Sequence, residues 1–209
     1  MNIPSKPEPA EFQHIQTTTA WKRTLETFAQ WCQPQPGERV LDVGCGPGLL
    51  PMLFHHMGCQ ATGIDLDASM FLPELLWGRV VCGDALSLPF TTGGFNLVTS
   101  SNLLFYLPSP QEALLEMRRM LVPGGRIGLL NPSSRLSVAA AEDVAERRGL
   151  AGTARTSLID WAQRAENHQR WQPDELAQLC QAAMLTLHRW EYRVGPGFAL
   201  FASAQRNDP

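Results

Sequence analysis

Val40-Leu41-Asp42-Val43-Gly44-Cys45-Gly46-Pro47-Gly48 is the stretch whose reading decides the fold. A short run of aliphatic residues reads as a buried strand. Glycines at alternate positions then give a turn so tight that a ligand can lie against the main chain, an approach glycine allows because it has no Cβ and accepts positive φ. A strand, a glycine turn and a helix in that order form the opening unit of an α/β sheet that binds a nucleotide-containing cofactor.

The spacing narrows the cofactor. A dinucleotide fingerprint places its third glycine three residues after the second, G-x-G-x-x-G. Here Leu49 stands in that place and Gly48 comes one residue early. A carboxylate at Asp42 also favours a ligand carrying an ammonium or sulfonium over one carrying a diphosphate. A strand-end Asp followed by G-x-G-x-G therefore points to S-adenosylmethionine, with Asp42, Gly44, Cys45, Gly46 and Gly48 around its methionine end. Two further stations follow at successive strand ends. Residues 60–64 read as a second strand ending at Asp65, about twenty residues past Gly44, the separation at which an acidic side chain meets ribose hydroxyls. Leu66 is placed to cover a face of the adenine. Met70, one turn on, either fills a gap beside it or packs in the core. Residues 79–82 read as a third strand, after which Asp84 and Ala85 are placed to meet the adenine amino group. Each Asp has the alternative role of helix cap; their recurrence at successive strand ends favours a shared crevice.

With these residues in view, the chain resembles the class I S-adenosylmethionine-dependent methyltransferases, particularly the small-molecule group that includes the ubiquinone and menaquinone biosynthesis enzymes. The resemblance runs from about Trp21 to Asn131 through LDVGCGPG, GIDLDASM, GDALSLPF, FNLVTSSNLLFYL and LLEMRRMLVPGGRIGLLNP. It implies that the Gly44–Gly48 loop holds the methionine part, Asp65 the ribose, and Asp84 with Ala85 the adenine. It also implies that Ser100–Leu103, hence Ser101 and Asn102, line the site near the methyl group. Two departures stand out. Asn96 replaces the usual Asp of an F-D-L-V strand, and Phe105-Tyr106 stand where many members carry a histidine, removing a familiar base. The remaining candidate proton acceptors are His168, Tyr106 and His14.

The rest of the chain predicts a Rossmann-like three-layer α/β sandwich. Its seven-stranded, mostly parallel sheet has strands at 39–43, 60–64, 79–82, 95–100, 125–130, 185–194 and 198–204. The last two form a C-terminal hairpin across Gly195-Pro196-Gly197, which supplies the one antiparallel strand. Apolar spacing predicts a leading helix over 14–31 and another over 110–121, closed by Pro123-Gly124-Gly125. Residues 1–209 read as a single domain with a flexible tail at 1–12. Residues 132–183 are more chain than one crossover needs, and are expected to form a helical lid and substrate region. Trp161 and Trp171 within it serve either as pocket walls or as anchors.

At 209 residues and 44% hydrophobic content, with formal charge -3, the chain can bury one substantial core and shows no basic stripe, which argues against DNA as a partner. The five cysteines lack C-x-x-C spacing, so no metal site is expected. No apolar stretch of about twenty residues or signal core appears, and a cytoplasmic protein is expected. The leading function is methyl transfer to a small aromatic or lipid-like acceptor. The alternatives are a non-catalytic cofactor-binding module or partner subunit, an RNA methyltransferase, and a nicotinamide-dependent oxidoreductase.

Overall fold

A computed structural model describes residues 18–71 and 79–206, together with residues 10, 14 and 15; the expected tail at 1–12 lies outside them apart from residue 10. Seven strands form one sheet: β1 (Arg39–Val43), β2 (Gln60–Asp65), β3 (Val80–Cys82), β4 (Phe95–Ser101), β5 (Leu121–Pro132), β6 (Leu185–Arg193) and β7 (Ala199–Arg206). Their spatial order is β3-β2-β1-β4-β5-β7-β6. β7 alone runs against its neighbours. The chain steps outward from β1 through β2 to β3, then returns to the other side of β1 with β4 and β5. The reversal point falls between β1 and β4, where open α/β sheets bind their ligands.

Helices cover both faces. α1 (Ala20–Trp31) and α2 (Leu49–His56) pack on one; α3 (Pro110–Met120) and α6 (Pro173–Ala182) pack on the other. α1 seats Phe28 and Trp31 edge-on against Phe201, with ring centroids 5.1 and 5.8 Å apart. Its close approach is possible because Gly128 leaves room: a Cβ there would come within 2.6 Å of Cys32 Sγ. α3 buries Ala113, Leu114 and Met117 at helical spacing. Between β5 and α6 run α4 (Val138–Arg147) and α5 (Gly152–Asn167), which pack on each other.

The strands begin where the sequence placed them, to within a residue or two, except β5. Two boundaries need correction. The leading helical stretch read over 14–31 is interrupted at Thr19: residues 14, 15 and 18 are helical, and α1 begins at Ala20 because Thr19 takes an extended backbone and its hydroxyl accepts from Trp21 N at 3.2 Å, capping it. β5 begins at Leu121, immediately after α3. Leu121 is wholly buried and pairs with Phe95, and the register then jumps to Arg126 opposite Leu97. Pro123-Gly124-Gly125 is thus an irregularity inside the strand, with Gly124 at φ +70°. Asn96, the first departure from the family pattern, has a structural role: its Oδ1 accepts from Arg39 N at 2.9 Å.

Arg126 ties the far ends of β1 and β5 together. Its guanidinium donates to both Glu38 carboxylate oxygens at 2.8 Å and to Gln33 O at 2.9 Å. Burial pushes the Glu38 carboxyl upward, yet the Arg126 bonds outweigh it and hold the group below its ordinary range. Because the folded value is depressed, the pair stabilises the fold above the ordinary carboxylate range and is lost as pH falls through the lowered value. Arg126→Ala is expected to cost roughly 1 to 2 kcal/mol at pH 7 by leaving the half-buried Glu38 without its charged partner. The difference from the parent in urea unfolding should shrink below about pH 4; a constant difference across pH would exclude this pair as its source.

Candidate active site

The strand order sets four segments side by side along one edge of the sheet. They are Asp84 after β3, Asp65 at the end of β2, the Gly44–Gly48 loop after β1, and Ser101–Asn102 at the end of β4. The loop is seated by Gly44 N and Cys45 N, which donate to Ile64 O at 2.8 and 3.0 Å. Gly44, Gly46 and Gly48 have φ of +77°, +51° and +93°. Gly48 is also the N-cap of α2 and brings no side chain to its first turn, so a ligand can approach that backbone directly.

Gly44 is constrained twice, since a Cβ there would lie 3.0 Å from Leu103 Cβ. Gly44→Ala is expected to destabilise the fold by roughly 2 to 3 kcal/mol, from the left-handed backbone and the clash together. Adding Leu103→Gly, which removes the clashing Cβ, should relieve the clash but not the backbone part, a separation that thermal unfolding of the single and double variants would show. Cys45 packs in a space that Gly63 leaves open, where a Cβ would meet Cys45 Sγ at 2.7 Å. Burial pushes the Cys45 thiol far above its ordinary value, which makes it a packing group and no nucleophile.

Asp42 is 2% exposed and accepts one hydrogen bond from Thr99 Oγ1 at 2.7 Å. Burial raises its carboxyl to about 7; Thr99 opposes the shift and the charge of Asp65 adds to it. A buried carboxylate so poorly compensated is suited to a cationic ligand. Asp65 accepts from Gly46 N at 2.8 Å and from Asp67 N at 3.0 Å, so it braces the glycine loop from the neighbouring strand. Leu66 beside it is 72% exposed, an unusual state for a large apolar side chain and one suited to covering a planar ring. Met70, by contrast, is buried at 3% exposure. Asp84 accepts from Leu86 N at 2.9 Å, and Ala85 next to it is half-buried.

Ser101 and Asn102 are half-buried. Asn102 has φ +55°, donates its N–H to Leu130 O at 2.8 Å and accepts at Oδ1 from Trp161 Nε1 at 3.1 Å. Trp161 also meets Trp21 of α1 edge-on at 4.8 Å. The anchoring role of this tryptophan therefore lies at the crevice itself. Trp171 anchors elsewhere: its backbone bonds Pro132 O and Ser134 N and bridges Ser133 beyond β5. Of the candidate proton acceptors, Tyr106 and His168 come together, ring centroids 5.1 Å apart. His14 is exposed before α1, and it is Trp21 of that helix that reaches the tryptophan of α5. Burial raises the Tyr106 hydroxyl above its ordinary value against the opposing effect of Arg164, so at neutral pH it donates rather than accepts a proton. A groove of about 590 Å³ is lined by His168 together with Ser134, Arg170, Trp171, Glu175 and Leu179.

Thr99 and the Trp21–Trp161 contact carry no signal in the linear chain. Thr99 becomes the partner of Asp42 only through the β1–β4 register. Gly63 left a faint trace, since an isolated glycine inside a strand marks close backbone approach.

The fold is similar to that of solved S-adenosylmethionine-dependent methyltransferases. A methyltransferase-domain family model matches residues 41–129. The chain is 33% identical over 124 residues to a ubiquinone/menaquinone biosynthesis C-methyltransferase of Cereibacter sphaeroides, covering 53% of this chain and 47% of that protein. It is 37% identical over 90 residues to a malonyl-[acyl-carrier protein] O-methyltransferase of Enterobacter lignolyticus, covering 42% and 36%. The chain thus spans about half or less of the length of these curated relatives. In fold it is similar to magnesium protoporphyrin IX methyltransferase of Synechocystis crystallised with S-adenosylhomocysteine. There the TM-score is 0.67 at 15% identity, over 95% of this chain and 94% of that one. Among the described residues no helix is long and apolar enough to cross a membrane, and no group of three or more His, Cys, Asp or Glu could hold a metal ion.

Proposed function

We propose that this protein transfers the methyl group of S-adenosylmethionine to a small-molecule acceptor by in-line displacement. The observation that carries the reading is the alignment of Asp84, Asp65, the glycine loop and Asn102 along one edge of the sheet at the β1/β4 reversal. Asp42 faces the cationic methionine end, with Gly44, Cys45, Gly46 and Gly48 as its backbone cradle. Asp65 accepts from the ribose hydroxyls, Leu66 and Met70 border the adenine, and Asp84 with Ala85 meets its amino group. Ser101 and Asn102 border the methyl. When bound, the cofactor supplies an electrophilic methyl on a sulfonium, whose leaving group is a neutral thioether. The chain's own task is then to hold the acceptor in line, an orientation effect that can supply about 7 to 11 kcal/mol. Residues 132–183 act as the substrate-covering part of a single domain, and the protein is cytoplasmic.

A cofactor-binding module without transfer is the second reading, favoured by the buried Phe105 where many relatives have a histidine. Parallel calorimetric titrations with S-adenosylmethionine, S-adenosylhomocysteine and NADH test the cofactor. Binding of the adenosyl compounds alone is expected. Binding of NADH alone would overturn the proposal, and transfer of labelled methyl to an acceptor panel separates the two readings.

A further inference from the structure

β6 ends the sheet, and among the described residues no further strand lies on its outer side. It is nine residues long, where β3 at the opposite edge has three. A strand so placed presents a row of backbone N–H and C=O groups on which another strand can pair. It also carries Trp190, 48% exposed, with Tyr192 edge-on to it at 5.5 Å between ring centroids. The register with β7 divides its side chains by face. Trp190 and Tyr192 stand beside Ala202 and Leu200; Arg189, Glu191 and Arg193 stand beside Ser203, Phe201 and Ala199 on the other face. Trp31 of α1 orients this second set. Its indole N–H donates to Glu191 Oε2 at 3.1 Å, Arg193 Nη2 donates to the same oxygen at 2.9 Å, and the face of the Arg189 guanidinium covers the Trp31 ring at 4.1 Å. Oε1 of Glu191 and the N–H edge of Arg189 remain for a group beyond the strand.

Charges usually protect a sheet edge from pairing, but here they alternate in sign and complement themselves in one register. Two antiparallel copies of a strand place like-facing residues opposite each other, so the two-fold axis falls on a residue. On Arg189 it sets Arg189 against its own copy. On Glu191 it sets Glu191 against its copy and Arg189 against Arg193. On Tyr192 the strands overlap only over 191–193. On Trp190 they overlap over 187–193, Arg189 faces Glu191 on both sides of the axis, and Trp190 meets its copy. Opposite charges and aromatic pairs across strands are favourable, and like charges are not. Residues 189–191 lie on the C-terminal side of the register shift that follows Leu187.

We propose that β6 is a dimer interface, on which a second copy of this chain adds its own β6 antiparallel about a two-fold axis at Trp190. The two sheets then become one. Three strands separate β6 from β1, so neither glycine loop lies at the interface, and the inference stands apart from the methyltransferase reading.

Strand-to-strand pairing makes a small interface, so sedimentation equilibrium of the full chain is expected to show a reversible dimer with a dissociation constant in the micromolar range. A chain that stays monomeric up to millimolar concentration overturns the proposal. Arg189→Glu and Glu191→Arg each set like charges opposite one another and should weaken the dimer about tenfold or more. In an equimolar mixture of the two variants every facing pair is again opposite in sign, and a heterodimer as tight as the parent dimer should form. A single variant that dimerises like the parent, or a mixture that fails to associate while circular dichroism shows both variants folded, overturns the Trp190 register. A second measurement is independent of these charges. Trp190→Cys puts two Cβ atoms about 4.5 to 5.5 Å apart across the axis, close to disulfide reach. Diamide should convert it to a covalent dimer faster than it does Tyr192→Cys or the parent, whose Cys82 is exposed. Equal rates in the three overturn the proposal.

Discussion

Asp65→Ala is expected to weaken binding of S-adenosylmethionine about a hundredfold. The side chain stands at the carboxyl end of β2 with both oxygens engaged by backbone N–H groups of Gly46 and Asp67. Hydrogen bonds to a charged acceptor contribute about 1.5 to 3 kcal/mol each, and a carboxylate that also receives two ribose hydroxyls would lose roughly 3 kcal/mol on truncation, or two powers of ten. Two effects add in this variant: recognition of the ribose is removed, and the glycine loop loses its brace. Asp65→Asn separates them, because the amide oxygen keeps one acceptor for Gly46 N while the charge is gone. We expect the asparagine variant to lie between the parent and the alanine variant in calorimetric titration. An alanine variant with undiminished affinity would refute the ribose assignment.

Asp42→Asn is expected to act in opposite directions on stability and on binding. The carboxyl is raised by burial from 3.8 to about 7, so the folded state holds a proton that the unfolded chain releases. Stability of the parent therefore falls as pH rises through the window from about 4 to about 7, and the full penalty is present above it. Each unit of that shift corresponds to about 1.4 kcal/mol. Asparagine keeps an acceptor for Thr99 and carries no charge, so the variant should be more stable than the parent at pH 8 by a few kcal/mol. At pH 4 the advantage should vanish. Binding should move the other way. The sulfonium of S-adenosylmethionine adds a positive charge that S-adenosylhomocysteine lacks, and removing the facing carboxylate should cost the former about tenfold more affinity than the latter. Thermal midpoints at pH 4 and pH 8, with titrations of both ligands, measure the two halves independently. A variant less stable than the parent at pH 8 would show that Asp42 is held ionised by partners the structure does not reveal.

The trade expected between stability and binding at Asp42 is also the reason a candidate site could be proposed from the linear chain. A carboxylate inside an apolar strand, flanked by Leu41 and Val43, is an expensive choice for a fold alone, so its position already spoke for a ligand. Asp65 and Asp84 were legible for a related reason, since each closes a strand pattern. Helix ends were less so. Thr19 looks like any residue of an amphipathic run until its backbone leaves the helix, and Leu121 passes from helix to strand with no break in apolar character. A proton acceptor was not legible at all: His168, Tyr106 and His14 were candidates by residue type, and only packing brings Tyr106 and His168 together.

By itself the sequence determined the α/β class, the strand-end carboxylates and the glycine turn, because these depend on local periodicity and on the backbone freedom of glycine, both of which act over a few residues. Tertiary structure alone decided that Thr99 meets Asp42, that Leu103 closes over Gly44, and that Trp161 and His168 of one helical stretch meet Asn102 and Tyr106. Those contacts join segments whose separation along the chain leaves no periodic trace. Strand register and helix docking set them, and both are fixed by packing of the whole core.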